Sequence, residues 1–502
     1  MPTPSPANAQ PYLTKSSYVR GITCRRLLWL AWHRRQPYQP PLPGSPAAIG
    51  IEIGAEARRL FPGGVLVGED AWQHDDAVRR TRDLMSDATV PAIFEAAFAA
   101  GGVRIRADII ERLAAGRWGL REVKSASRVK AAYVDDAAIQ AHVIERCGIE
   151  LGSIELVHVD TDYVYPGGAI DWRRYFARTD IGERVRAEMR DLPALIDDQL
   201  ATLNTADEPA VPPGPHCPKN CDYWGHCTNG KPADWIFNLP RLSPQKFEAL
   251  TAAGIERISE IPDTFDLTLI QDRMRDVVVC RRPYVSPGLP AAIARLEGAV
   301  DYLDFEAMSP ALPIFPGTRP YQRIAFQWSL HRADGADNLT HMDFLGDHET
   351  DPRRAFTTSL VEALGDNDTP IVVYSAYERG VLVELAILFP EHADAIDKIL
   401  SRLTDLFVIV RDHVYLEGFN GSLSIKHVGK ALAPGFTYDG LQHVTDGAAA
   451  GSAFERLARG TITEAETSEL RAALIAYCRL DTLAMVEAHR GLRRLAGARP
   501  TR

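Results

Sequence analysis

The chain of 502 residues has no long apolar run. Its strongest short one, Leu27-Leu28-Trp29-Leu30-Ala31-Trp32, falls far below the roughly 20 residues that cross a bilayer, so no membrane association is expected. No apolar h-region marks a secretory leader. Cysteine is scarce: seven residues, an odd number unevenly spread, which excludes a secreted disulfide framework and favours a reducing cytoplasm. Positive charge is also in deficit. A net charge of −10 argues against a whole-surface attraction to nucleic acid. Acids, however, are missing from residues 1–40, which hold Lys15, Arg20, Arg25, Arg26, Arg34 and Arg35. That stretch reads as a solvated basic arm, a targeting peptide or a phosphate-contacting surface, and charge pattern does not choose among them. With 46% hydrophobic and 24% charged residues the chain is an ordinary globular protein of two or three domains.

What is present begins with four cysteines. Cys24 stands near the start; Cys217, Cys221 and Cys227 cluster in His216-Cys217-Pro218-Lys219-Asn220-Cys221-Asp222-Tyr223-Trp224-Gly225-His226-Cys227. Four thiolates suit an iron–sulfur cluster; three with His216 or His226 suit zinc. Cys147, Cys280 and Cys478 have no partner spacing and are expected to be buried small hydrophobes. Between the bracketing cysteines, Val103–Ile110 alternates as a strand ending on Asp108, and Trp118–Lys124 forms a second strand. There Glu122 and Lys124 share a face while Val123 points to a core. Two carboxylates and a lysine suit Mg²⁺- or Mn²⁺-assisted phosphodiester cleavage. The segment Gly54–Phe61 reads as a helix carrying Glu56.

Asp108, Glu122, Lys124 and the downstream Gln140 stand in the order of the PD-(D/E)XK nucleases. With Cys24 ahead and Cys217, Cys221 and Cys227 behind, the first half of the chain resembles the iron–sulfur branch of the RecB-type nucleases. The resemblance implies a 4Fe–4S cluster on these four cysteines, with zinc as the alternative. It implies a metal site on Asp108 and Glu122, with Glu56 as a further contact. One departure is visible: Ile144 stands where a tyrosine usually follows the glutamine.

Residues 231–295 read as a helical connector. Ser243-Pro244 opens a helix that runs to Gly254-Ile255, and Ile258–Pro262 follows, a pattern of a helix-hairpin-helix or of a plain spacer.

From 296 onward the pattern is three strands, a helix, a strand and further helices. Tyr302, Asp304 and Glu306 share one strand face; Ile371–Tyr374 is a short buried strand leading into Ser375-Ala376-Tyr377-Glu378; Tyr477 and Asp481 lie one turn apart on the last helix. These acids resemble the motifs of the DEDD exonucleases, of the DnaQ-like superfamily with an RNase H-like fold. Asp304-x-Glu306 matches the first motif and Tyr477-x₃-Asp481 the third. Glu378 takes the second with Ser375 in place of an asparagine. Gly421-Ser422-Leu423-Ser424-Ile425-Lys426 resembles a stretch between the second and third. The resemblance implies Mg²⁺ or Mn²⁺ on Asp304, Glu306 and Asp481, with Tyr477 holding the attacking water.

The fold expected is therefore α/β: a PD-(D/E)XK domain over 1–230, a helical connector over 231–295 and an RNase H-like DEDD domain over 296–502. The function expected is a nuclease with two metal centres acting on DNA, including 3′–5′ exonuclease activity. RNA processing is the alternative substrate. A nucleic-acid-binding assembly protein with decayed sites is the alternative class, motivated by Glu378 and the missing tyrosine.

Overall fold

The computed structural model describes residues 10–497 apart from 38, 219 and 336–337. The chain divides into two compact units. One holds the residues up to 229 together with 311–321; the other holds 230–310 and those from 322 onward.

In the first unit β1 (Leu13–Thr14) leads into α1 (Lys15–Thr23) and α2 (Arg25–His33). Then come α3 (Pro46–Ala57), β2 (Val65–Leu66), α4 (His74–Ser86), β3 (Ala92–Ala100) and β4 (Val103–Arg112). β5 (Trp118–Lys124), α5 (Ala131–Arg146) and β6 (Leu151–Val159) follow. The unit continues through α6 (Trp172–Tyr175), β7 (Phe176–Asp180), α7 (Gly182–Glu188), α8 (Leu192–Leu203) and α9 (Trp224–Thr228). The sheet order is β2-β3-β4-β5-β6-β7, with β1 set parallel beside β4. β3, β4 and β5 run antiparallel, whereas β5 and β6 are parallel. Parallel neighbours need a crossover, and α5 supplies it. Its Ala137, Ala138, Ala141 and Ile144 are fully buried in the same core as Ile105, Ala107, Ile110 and Leu120.

β4 changes phase at Asp108. Val103, Ile105 and Ala107 face the core under α5, and then Ile110 does, while Ile109 joins the opposite core with Val123. Opposite Asp108, between the paired positions Phe94↔Ile109 and Ala96↔Ala107, Glu95 has φ of +55°. A non-glycine residue there is strained by about 1–3 kcal/mol. Strict alternation does not foresee this kink.

The second unit opens with α10 (Pro244–Ala252), α11 (Leu269–Cys280), β8 (Tyr284–Val285) and α12 (Leu289–Ile293). Ser243 caps α10 as expected, and Gly254 turns the chain with φ of +74°. A single 3₁₀ turn, Ile258–Glu260, replaces the second helix of the expected hairpin. Pro262 forces Ile261 into extended backbone and stops the turn.

The main sheet of this unit comprises β9 (Ala299–Met308), β10 (Ile324–Asp334), β11 (Leu339–Leu345), β12 (Ile371–Val373) and β13 (Leu403–Asp405), in the order β11-β10-β9-β12-β13. β10 is antiparallel to β9 and β11; β12 is parallel to β9 and β13. The helices between and after these strands are α13 (Arg353–Leu364), α14 (Tyr377–Leu388), α15 (Ala393–Arg402), α16 (Leu406–His413), α17 (Ile425–Leu432), α18 (Gly447–Ala458) and α19 (Glu464–Gly497); β14 (Val414–Tyr415) pairs with β8. Leu303 and Phe305 of β9 bury against Phe356 and Leu360 of α13, Leu382 of α14 and Ile396 of α15. The opposite face turns Tyr302, Asp304 and Glu306 toward α18 and α19. There Tyr302 bonds His489 at 2.7 Å, and a side chain at Gly451 would meet the Ala307 carbonyl at 3.1 Å.

β9 is held at its start by Asp301, which is fully buried. Its carboxylate takes two hydrogen bonds from Arg332, at 2.7 and 3.0 Å, and lies 3.6 Å from Arg402. Removing one member strands the buried remainder. Asp301→Ala is expected to cost the second unit about 3–5 kcal/mol, read as a lower urea midpoint for its unfolding. A change under about 1 kcal/mol would show the pair to be dispensable.

Candidate active sites and a four-thiol cavity

The second unit gathers four carboxyl groups from three elements. Asp304 and Glu306 come from β9, Glu378 from the first turn of α14, and Asp481 from the middle of α19. Strand alternation puts the first two on one face; helical spacing puts Tyr477, Cys478 and Asp481 on the surface of α19 that packs against them. One ligand atom each of Asp304, Glu306 and Cys478 fall within 4.8 Å of one another. Cys478 donates to Asp304 Oδ2 at 3.4 Å. Tyr438 donates to Asp481 Oδ1 at 2.7 Å, and the Tyr477 hydroxyl bonds the same carboxylate. Glu378 Oε2 is buried without a hydrogen-bond partner. Lys426 lies 5.1 Å from the Tyr477 ring centre and 5.5 Å from that of Tyr438.

Burial and mutual repulsion push these acids toward their neutral forms. Asp304 is raised well above the usual range, by burial first and then by Asp481, Glu306 and Glu378. Glu306 is pushed up to about 8 by burial, Asp481 and Glu378, with Lys426 opposing. Glu378 is raised to about 8 by burial, with Asp405 adding to it. Asp481 is raised by burial against the pull of the two tyrosines. Such a group is at ease only when protonated or when a cation sits among its oxygens. The turn before α14 is strained: Ser375 has φ of +143° and its hydroxyl accepts from the Tyr377 amide at 3.0 Å.

The first unit brings Asp108, Glu122 and Lys124 together in a different charge state. Lys124 lies 2.8 Å from Glu122 and 2.5 Å from Asp136. Gln140 donates to Glu122 Oε2 at 2.6 Å, and the Val123 amide donates to Asp108 Oδ2 at 2.8 Å. Lys15 enters from α1, 3.0 Å from Glu122 and 3.9 Å from Asp108. Burial lifts Glu122, but Lys15 and Lys124 overcome it and hold the carboxyl down to about 2. Asp108 is pushed up to about 7 by burial and by Glu122. Glu56, the expected further metal contact, pairs with Arg59 at 2.6 Å on its own helix. The cleft that reaches Asp108, of about 380 Å³, is lined instead by Glu95, with Lys15, His74, Arg104 and Arg106.

The four bracketing cysteines meet. Cys24, Cys217, Cys221 and Cys227 line one small cavity with Leu27, Leu30, Pro213 and Trp224. Cys24 caps α2, its sulfur accepting from the Leu27 amide at 3.5 Å. Burial raises Cys217 and Cys227, the neighbouring thiols add to it, and Arg26 opposes. His226 is engaged by Glu208 at 2.9 Å, while His216 lines the cavity. Four thiols with an apolar lining and one adjacent arginine are a donor set that could hold an iron–sulfur cluster or, with or without His216, a zinc ion.

Two expectations need correction. Cys147 and Cys280 are exposed, not buried; Cys147 lies just past the end of α5, its thiol donating to the Ala99 carbonyl at 3.6 Å, and Cys280 is the last residue of α11. Cys478 is buried, as expected, but beside Asp304. Sequence reading passed over Lys15, Glu95, Asp136, Tyr438, Asp405 and Cys478 as site residues. Glu95 had a signal, being the one charge in the strand Ala92–Ala100, and Asp136 lies one helical turn before Gln140.

Residues 301–424 match a family described as a domain of unknown function (DUF2779). The match spans Asp304, Glu306 and Glu378, and ends before Tyr438, Tyr477 and Asp481. No curated protein matches the chain.

Acids with raised pKa stabilise the fold in their protonated form. That contribution is complete below the ordinary carboxylate value of about 4 and is lost as pH rises through about 8. In chelator, calorimetry is expected to show the second unit's unfolding temperature falling between about pH 4 and 8. Glu306→Gln should flatten that fall, and Mn²⁺ should restore more stability at the alkaline end than at the acid end. A wild-type profile flat with pH would contradict the buried like-charge cluster.

Proposed function

We propose that this protein is a metal-dependent nuclease with two phosphodiesterase centres acting on DNA. The observation that carries the reading is the set of four close carboxyl groups at Asp304, Glu306, Glu378 and Asp481, the last three buried, whose repulsion two divalent cations would relieve. Two such ions about 4 Å apart stabilise the attacking and leaving oxygens of an in-line displacement. Tyr477, bonded to Asp481, is placed to orient a water. Further support comes from topology. A five-stranded sheet with its second strand antiparallel to the rest, in the order third, second, first, fourth, fifth, supports an RNase H-like reading. The resemblance to DEDD exonucleases makes this centre the one that trims 3′ ends.

The first unit supplies the other centre, in the PD-(D/E)XK manner. Asp108 and Glu122 would hold a metal, and Lys124 would stabilise charge on the phosphate. Glu95, which pairs with Arg58 and lines the cleft beside Asp108, is a further candidate carboxylate in addition to Glu56. The four thiols would hold a 4Fe–4S cluster with a structural role, tying α1 and α2 to the end of the unit.

Asp304→Asn and Asp481→Asn should each lower release of nucleotides from 3′-labelled single-stranded DNA at least about 100-fold in Mn²⁺. Asp108→Asn and Lys124→Ala should leave that release intact and remove a second cleavage pattern, read on 5′-labelled and duplex substrates. RNA cut faster than DNA would move the substrate class. Full activity in an Asp304→Asn, Lys124→Ala double variant would reject the catalytic assignments.

Protein purified without oxygen should be brown and carry about four irons per chain. Cys24→Ser and Cys221→Ser should each lose most of that iron, whereas His216→Ala should keep it. Zinc without iron would overturn the cluster.

A further inference from the structure

The metal site assigned above to the first unit already contains a cation of the chain's own. The charges around it are Asp108, Glu122 and Asp136 against Lys15 and Lys124. Lys124 is committed to Glu122 and Asp136. The outer oxygens of the pair are also committed, Glu122 Oε2 to Gln140 and Asp108 Oδ2 to the Val123 amide. On the inner side Glu122 Oε1 takes both lysines, Lys124 at 2.8 Å and Lys15 at 3.0 Å, and Lys15 Nζ also reaches across to Asp108 Oδ1 at 3.9 Å. Asp108 and Glu122 are the carboxylates that would hold a divalent ion.

Lys15 is held there by backbone. Leu13 and Thr14 pair in parallel with Val103 and Arg104, on the strand that carries Asp108. Thr14 then caps α1: its hydroxyl accepts from the Ser17 amide at 3.1 Å, and the Ser17 hydroxyl accepts from the Thr14 amide at 2.6 Å. Lys15 is the first residue of that helix, between a fully buried Leu13 and a buried Tyr18. A surface lysine that happened to reach the site would have no such mounting.

We propose that Lys15 is a tethered competitor for the divalent cation of the first unit, occupying the position between Asp108 and Glu122 until a metal displaces it. It is a positioning residue: it sets how much free metal the site needs, and it keeps the two carboxylates in register when none is bound. The proposal rests on the reading of Asp108 and Glu122 as metal ligands. Without Lys15 the five-charge set becomes more negative by one unit, so a divalent ion binds more strongly.

The test uses the full chain carrying Asp304→Asn and Asp481→Asn, which silences the other centre, and follows Mn²⁺ binding by calorimetry and by its paramagnetic resonance. Lys15→Met is expected to bind Mn²⁺ at least about tenfold tighter than the parent, and Lys15→Arg about as the parent does. Lys15→Gln repeats the comparison should the methionine lower the unfolding temperature. Equal or weaker binding in the folded methionine or glutamine variant, with Asp108→Asn still abolishing binding, would overturn the role of Lys15 and leave the metal site standing. Absence of Mn²⁺ binding in parent and variants alike would overturn the metal site, and the role of Lys15 with it.

Discussion

Buried like charge is the constraint on which the rest of this structure depends. Taking one carboxylate out of water is costly, and taking several into the same volume is prohibitive unless protons or cations come with them. In the second unit Asp304, Glu306, Glu378 and Asp481 meet with Lys426 as the cation acting on them, and their affinities for protons rise accordingly. The surrounding elements are built to hold this arrangement closed. β9 is pinned by the buried Asp301 ion pairs, and α18 comes close through Gly451. α19 runs 34 residues, so that Tyr477, Cys478 and Asp481 are carried on one rigid rod. Acids packed this closely are at ease only when protonated or when a cation sits among their oxygens.

The first unit meets the same constraint from within. Two lysines sit among three carboxylates, so one acid, Glu122, is held ionised while its neighbour Asp108 is lifted. Splitting a pair in this way gives a carboxylate always ready to ligate and a second that joins as the pH rises or a metal arrives. The two clusters thus balance their charge differently: by protons in one, by ammonium groups in the other.

Much of this was legible because the chemistry followed short periodicities. The alternation of Tyr302, Asp304 and Glu306 and the four-residue spacing of Tyr477 and Asp481 each fix a common face, and both faces lie where they were expected. The run of three strands, a helix and a strand from residue 296 onward also followed from local pattern. What escaped were contacts made at long range. Lys15 is 107 residues from Glu122, and nothing in its own neighbourhood distinguishes it from a solvated lysine. Glu95 could be seen as an anomaly in its strand, but its partner across the kink could not. Glu56 pairs with Arg59 three residues on, a local contact that its own spacing could have shown. The exposed Cys147 and Cys280 show that lacking a partner spacing says nothing about burial.

The helix α1 connects two sites that sequence reading kept apart. Its first residue, Lys15, lies against Asp108 and Glu122; the residue that ends it, Cys24, lines the four-thiol cavity and caps α2. Nine residues at 1.5 Å each make a strut of about 14 Å, too short and too well capped to bend under thermal motion. Cys217, Cys221 and Cys227 line the cavity at its far end, and β1 fixes its near end on β4. The helix therefore runs from the four-thiol cavity to the charge beside Asp108 and Glu122. The basic N-terminal arm is then best understood through this helix: its charge matters least where it is solvated and most at the one lysine that is not.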